Sequence, residues 1–271
     1  MNSLSNKVIL ITGASSGIGR AMALEAARQG ARLGLAARNR AELDRLVSEI
    51  HLMGAEAIAF NTDVSDESQC KLFIDSAIQH FGSIDVLINN AGISMRALFL
   101  KTELEVIRKL MAINFWGMVY CTKYALPFLL HSKGSVVGVS SIAGYKGLPG
   151  RTGYSASKFA MQGFLEALRI ENLRTGLHVL IACPGFTASN IRNTALSGDG
   201  SPQGESPRNE TGMMTSEEVA LHILKAVAQR KNNIILTRQG KLTVWLNKWF
   251  PSLTDQLVFN HMAKEHDSPF K

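Results

Sequence analysis

Cysteine is scarce in this chain: Cys70, Cys121 and Cys183 are the only three in 271 residues, and no C-x-x-C pair occurs. That excludes a disulfide framework and a thiolate zinc site, and it suits a reducing compartment. The seven histidines form neither H-E-x-x-H nor a close Cys/His cluster, so no metal is expected. No apolar run reaches about eighteen residues, the length a membrane-crossing helix needs. The opening MNSLSNK runs into a short strand without a signal-peptide pattern, and a cytoplasmic location is expected. Acidic residues are outnumbered, 22 Asp and Glu against 29 Lys and Arg, and the excess gathers late: Lys225–Lys271 holds eight cations and three anions. A basic stretch can face nucleic acid, an anionic membrane or an acidic substrate. No nucleic-acid motif accompanies it, so nucleic acid is not an expected partner.

With 46% apolar and 19% charged residues, the chain can bury a real core as one large domain. Short β-branched runs alternate with helical patterns. Strands are expected at Lys7–Gly13, Arg32–Arg38, the AEAIAFN run before Thr62, Ile84–Gly92, Gly134 to Ser140 and Ser141 at the strand's end, Leu177 to the break at Pro184-Gly185, and Asn233–Thr237. Helices follow the first strands, with Gly30 stopping the first and Ser65 starting the third. Two longer ones cover Thr102–Leu130 and Thr152 to about Arg174, and Thr215-S-E-Glu218 reads as a capping box for another. The expected fold is α/β: a doubly wound parallel (Rossmann) sheet of about seven strands, helices on both faces, plus a C-terminal helical extension. Residues 1–240 form the dinucleotide-binding domain, with a Ser/Gly/Asn/Pro-rich lid at about 188–214, and residues 241–271 the extension.

The first strand ends in Gly13-A-Ser15-Ser16-Gly17-Ile18-Gly19 and opens into a helix. Glycines allow close backbone approach, and a helix N-terminus offers free N–H groups and partial positive charge, so this turn suits a pyrophosphate. At the end of the second strand a carboxylate would bond a ribose 2′-hydroxyl, but Ala36-Ala37-Arg38 stands there. An arginine without a carboxylate fits a 2′-phosphate, so NADP(H) is expected over NAD(H). Asn89-Asn90-Ala91-Gly92, at the end of the fourth strand, offers amides and small residues for close approach to a flat ligand, or a satisfied turn. Asn114 lies amid apolar neighbours, where it serves either as a hydrogen-bond hub or as a kink holding water. Tyr154 and Lys158 are four apart at a helix start and share a face; Ser141 lies thirteen residues upstream. A cation beside a phenol favours the phenolate and brings its proton into working range.

Taken in order, TGASSGIG (Thr12–Gly19), Asp63-Val64, NNAG (Asn89–Gly92), Asn114, Ser141, YSASK (Tyr154–Lys158) and Pro184-Gly185 resemble the short-chain dehydrogenase/reductase family, in its compact single-domain branch, from about Lys7 to Leu236. The resemblance implies that Tyr154 is the general acid-base and that Lys158 lowers its pKa and binds ribose. It implies that Ser141 polarises a carbonyl and that Asn114 holds a relay water. Asp63 and Val64 would meet the adenine, Asn90 the ribose, and Thr187 and Ser189, beyond Pro184-Gly185, the nicotinamide end. A homodimer or homotetramer through the two long helices is the family's habit.

The implied function is an NADP(H)-dependent oxidoreductase interconverting a carbonyl and a secondary alcohol. Its substrate would be hydrophobic, of steroid, retinoid or lipid-ketone type. A 3-oxoacyl-carrier-protein reductase is the rival enzyme, and a non-catalytic cofactor-binding redox sensor the rival of another class. Leu242, Trp245, Leu246, Trp249, Leu253 and Leu257 recur at helical spacing around Pro251. This stretch reads either as a helix packed on the core or on a second subunit, or as an amphipathic segment at a membrane surface through 241–262.

Overall fold

The structure, a computed structural model, describes residues 4–187, 191–204, 212–265 and 268–270. Seven strands form one sheet: β1 (Val8–Thr12), β2 (Arg32–Ala37), β3 (Ala57–Asn61), β4 (Val86–Asn89), β5 (Ser135–Val139), β6 (His178–Cys183) and β7 (Asn233–Ile235). Their order is β3-β2-β1-β4-β5-β6-β7, and every ladder is parallel. The expected doubly wound sheet is therefore what forms.

Residues alternate between faces with period two, and each face is covered by its own helices. On one side Ile9, Ile11, Leu33, Leu35 and Val137 pack against α1 (Gly17–Arg28), α2 (Arg40–Leu52) and α7 (Ser216–Ala228). On the other, Val8, Leu10, Leu87, Val136 and Val179 meet α3 (Glu67–Phe81), α5 (Gly117–His131) and α6 (Thr152–Glu171). The strand order reverses between β1 and β4, so the helices leaving them diverge and open a crevice at their carboxyl ends. Both ligand-type turns of the sequence, Gly13–Gly19 and Asn89–Gly92, lie at that point.

Several boundaries differ from the sequence reading for physical reasons. Helix α3 starts one residue after Asp66, not at Ser65. The Asp66 carboxylate accepts from Ser68 N and Gln69 N, at 2.8 and 3.2 Å, whereas Ser65 is held by Asp63. The expected 102–130 helix is α4 (Leu104–Leu110), a π turn (Met111–Trp116) and α5 in succession. Thr215 and Glu218 do form a reciprocal capping box on α7. The C-terminal extension is two helices, α8 (Arg238–Trp249) and α9 (Pro251–Ala263). Pro251 forces Phe250 out of helical geometry (φ −135°, ψ 65°), ending one helix and starting the next. Thr237 caps α8 by accepting from Gly240 N at 3.0 Å, so the division at 240/241 falls inside a helix. Among the described residues, no helix is long and apolar enough to cross a membrane.

Candidate active site

The crevice at the reversal of strand order has a volume of about 400 Å³. Gly13, Ser15, Ser16, Gly17, Ile18, Arg38, Asp63, Val64, Asn90, Ala91 and Gly92, all expected to bind cofactor, line it. The turn at its floor can exist only with glycine at particular places. Gly17 has φ +52°, and a Cβ on Gly19 would strike Gly13 O and Asn90 Nδ2. Gly19 itself does not line the crevice; its missing side chain lets α1 pack close to the turn. Ser16, the N-cap of α1, makes no side-chain capping bond, and the first turn has no acidic residue. Its orphan N–H groups and positive helix end are thus left for an anion, and the cradle fits a dinucleotide's diphosphate.

Asn90 lines the crevice and also ties two elements together. Its Nδ2 donates to Thr12 O and Gly13 O at 3.0 and 3.1 Å, so the amide ties β4 to the glycine turn. Thr12, to which the sequence assigns no separate role, completes this tie: its hydroxyl accepts from Asn90 N and Ala91 N, both at 3.1 Å. Arg38 is 61% exposed at the crevice edge, its Nη1 4.0 Å from Asp63 Oδ2. Thr62, Lys109, Ile113 and Leu196 line the crevice without a recognisable sequence signal, since tertiary packing alone brings them there.

A smaller pocket of about 120 Å³ continues from the crevice, sharing Ile18, Asn90 and Gly92 with it. Ser141, Tyr154 and Lys158 meet here, with Pro184, Gly185 and Thr187 opposite. Ser189 lies outside the described residues. Ser141 follows the end of β5 and caps a short 3₁₀ turn by accepting from Ala143 N at 3.2 Å. Tyr154 and Lys158 project from the first turns of α6. Arg151, Arg192 and Ser94 also border the pocket, and Arg151 Nη1 donates to Ser94 Oγ at 3.3 Å. Arg151 stands three residues before Tyr154, a spacing that sequence reading could have weighed.

Burial dominates the electrostatics. It pushes the Tyr154 phenol above its usual value, while hydrogen bonding by Ser141 and the Arg151 charge pull it back. Burial also pushes Lys158 down to about 8. Its Nζ donates to Val139 O at 2.9 Å and stands 5.8 Å from the centroid of the Tyr154 ring. The Arg151 charge thus favours the phenolate, while the Lys158 amine is held at the end of β5.

Asn114 sits in the π turn, fully buried behind this pocket. Its Oδ1 accepts from Ile93 N at 2.8 Å, and its Nδ2 donates to Ile93 O at 3.0 Å and to Ser157 Oγ at 2.9 Å. It is a hub joining the NNAG segment to α6. A π turn widens the helix at this point, as such insertions often do beside functional sites.

A third cavity, of about 260 Å³, opens beside Ser141 and shares Leu148, Gly185 and Phe186 with the smaller pocket. Its far walls are Leu242, Leu246, Leu257, Val258 and Met262 of α8 and α9, so it is largely apolar. The described part of the 188–214 stretch borders the large crevice through Ile191, Thr194 and Leu196, and the pocket of Ser141 and Tyr154 through Ile191 and Arg192. There it is fixed by Leu196 N donating to Ser94 O at 2.9 Å and Arg96 N donating to Leu196 O at 2.8 Å. The C-terminal helices are the roof of the apolar cavity. Among the described residues, no cluster of His, Cys, Asp and Glu could hold a metal.

The sequence model of short chain dehydrogenases matches residues 7–199. The mouse dehydrogenase/reductase SDR family member 7B is 35% identical over 98% of this chain and 84% of its own length. An Arabidopsis thaliana 11-beta-hydroxysteroid dehydrogenase-like 2 is 42% identical over 69% of this chain and 61% of its own. The crystal structure of a short chain dehydrogenase/reductase from Burkholderia phymatum in complex with NAD superposes with a TM-score of 0.83 at 27% identity, covering 93% of this chain and 96% of that one.

Proposed function

Because this chain belongs to the short chain dehydrogenases and is an oxidoreductase by that membership, we propose that it reduces a hydrophobic ketone, or oxidises the matching secondary alcohol, with NADP(H). The observation that carries the proposal is the position of the pocket that holds Ser141, Tyr154 and Lys158: it shares Ile18, Asn90 and Gly92 with the large crevice on one side, and Ser141, Leu148, Gly185 and Phe186 with the apolar cavity on the other. A nicotinamide held in the crevice would supply the hydride. The hydroxyls of Ser141 and Tyr154 would hold the carbonyl oxygen, and Tyr154 would give its proton to that oxygen as alkoxide charge develops. Arg151 and Lys158 would steady the resulting phenolate, and Lys158 would also hold a ribose hydroxyl. Both amide hydrogens of Asn114 are already committed to Ile93 and Ser157, so a relay water would use the remaining lone pair of Oδ1.

Preference for NADP(H) is supported by Arg38 at the rim and by the absence of a carboxylate from Ala36-Ala37-Arg38. The hydrophobic substrate is supported by the cavity walls of α8 and α9 and, by analogy, by the hydroxysteroid dehydrogenase-like relative. Consumption of NADPH and NADH should be followed against steroid, retinoid and long-chain ketones, small polar ketones and acyl thioesters. The proposal expects turnover with apolar ketones and NADPH. Turnover confined to acyl thioesters would favour the carrier-protein reductase instead, and cofactor binding without any turnover a redox sensor.

A further inference from the structure

Helices α8 and α9 use one face to roof the apolar cavity. Gly240 packs against Ile142, Thr254 and Met262 are buried, and Asn247 Nδ2 donates to Tyr145 O at 3.1 Å. Their other face is open. Leu242, Trp245 and Trp249 recur at helical spacing on α8, Leu253 and Leu257 on α9, and Phe250 stands at the break between them; all six are between 47% and 61% exposed. Leu242 and Leu257 are also cavity walls, so they border the mouth of that cavity. Exposed Arg238, Lys241 and Lys248 accompany them, and Lys248 Nζ lies 5.4 Å from the Trp249 ring centroid. The anion of α9, Asp255, is engaged by Lys146 at 2.5 Å.

From this we infer that the α8–α9 face docks on the surface of an anionic lipid bilayer, with the cavity mouth opening into the acyl region. Two tryptophans, leucines and flanking cations are the composition of a helix lying at the lipid interface. The inference goes beyond the proposed reaction and does not depend on it, because its readout is lipid binding.

Flotation of the full chain should be measured with vesicles of phosphatidylcholine alone and of phosphatidylcholine with phosphatidylserine at about four to one. The chain is expected to float with the mixed vesicles. Trp245→Glu with Trp249→Glu should lower the bound fraction about tenfold or more, and Lys241→Glu with Lys248→Glu should erase the preference for phosphatidylserine. Both pairs are exposed, so melting temperature and NADPH affinity should stay unchanged; if the glutamate pair unfolds, Trp245→Ser with Trp249→Ser makes the same comparison. Failure of the wild type to float, or unchanged flotation of the folded Trp variant, overturns the inference. So does a wild-type mass in light scattering that the Trp substitutions halve, because the face would then belong to a second copy.

Discussion

At the scale of single residues, two side chains set measurable quantities. Lys158 is buried with its pKa pushed down to about 8, against an ordinary value of 10.5. A base whose folded pKa is depressed costs stability while it is protonated. The cost is full below about pH 8 and fades as pH rises toward the unfolded value, where the unfolded chain binds the extra proton. The shift corresponds to roughly 3 kcal/mol. The cofactor-free protein should therefore gain stability between about pH 8 and 10, and Lys158→Met should flatten that rise; melting curves across the range check it. The same pKa predicts proton uptake on cofactor binding near pH 8, as an anionic ligand restores the charged amine. Calorimetry in buffers of different ionisation enthalpy reads the uptake, and none at all would contradict the assigned environment. Under the proposed preference for NADP(H), Arg38 would hold the 2′-phosphate. Arg38→Ala should raise the KM for NADPH by about 10- to 100-fold, the worth of one charge-assisted contact, and leave NADH nearly untouched.

At the scale of elements, the alternation of strands and helices was plain in the sequence, because buried parallel strands are short β-branched runs closed by glycine turns. The capping box at Thr215 and the break at Pro251 were equally legible, since each depends on neighbours a few residues away. The π turn was not. Nothing local marks the inserted residue around Asn114; the cause is tertiary, the pull of Ile93 and Ser157 on one amide. Asn114→Ala should leave the Ile93 N–H buried without its acceptor and cost about 2–4 kcal/mol, read as a lower denaturation midpoint. Asn90 teaches the same point. The motif marks it as a ligand-type amide, and only the fold shows that its hydrogens also go to Thr12 and Gly13, a pairing that spans β1 and β4.

At the scale of the whole molecule, the glycine turn, Ser141, Tyr154 and Lys158 were legible as a set because their types and order along the chain form one pattern, although the fold places them in two adjoining pockets. The apolar cavity was not legible: it exists only where α8 and α9 fold back over Ile142, Leu148 and Phe186. Another apolar surface, on α5 and α6, carries Phe159 and the Trp116–Tyr120 ring stack, with Trp116 and Phe159 each 46% exposed. We propose that a second copy covers it. Light scattering should find a dimer or tetramer, and Trp116→Glu with Phe159→Glu should lower the mass; a monomeric wild type would contradict this.

The most direct test of the account is Tyr154→Phe, assayed for reduction of a hydrophobic ketone and, separately, for NADPH binding by fluorescence. Loss of the phenolic hydroxyl should reduce kcat by at least about a thousandfold with cofactor affinity nearly unchanged, because it removes the proton donor and leaves the cradle intact. Turnover close to that of the wild type would show that another group moves the proton.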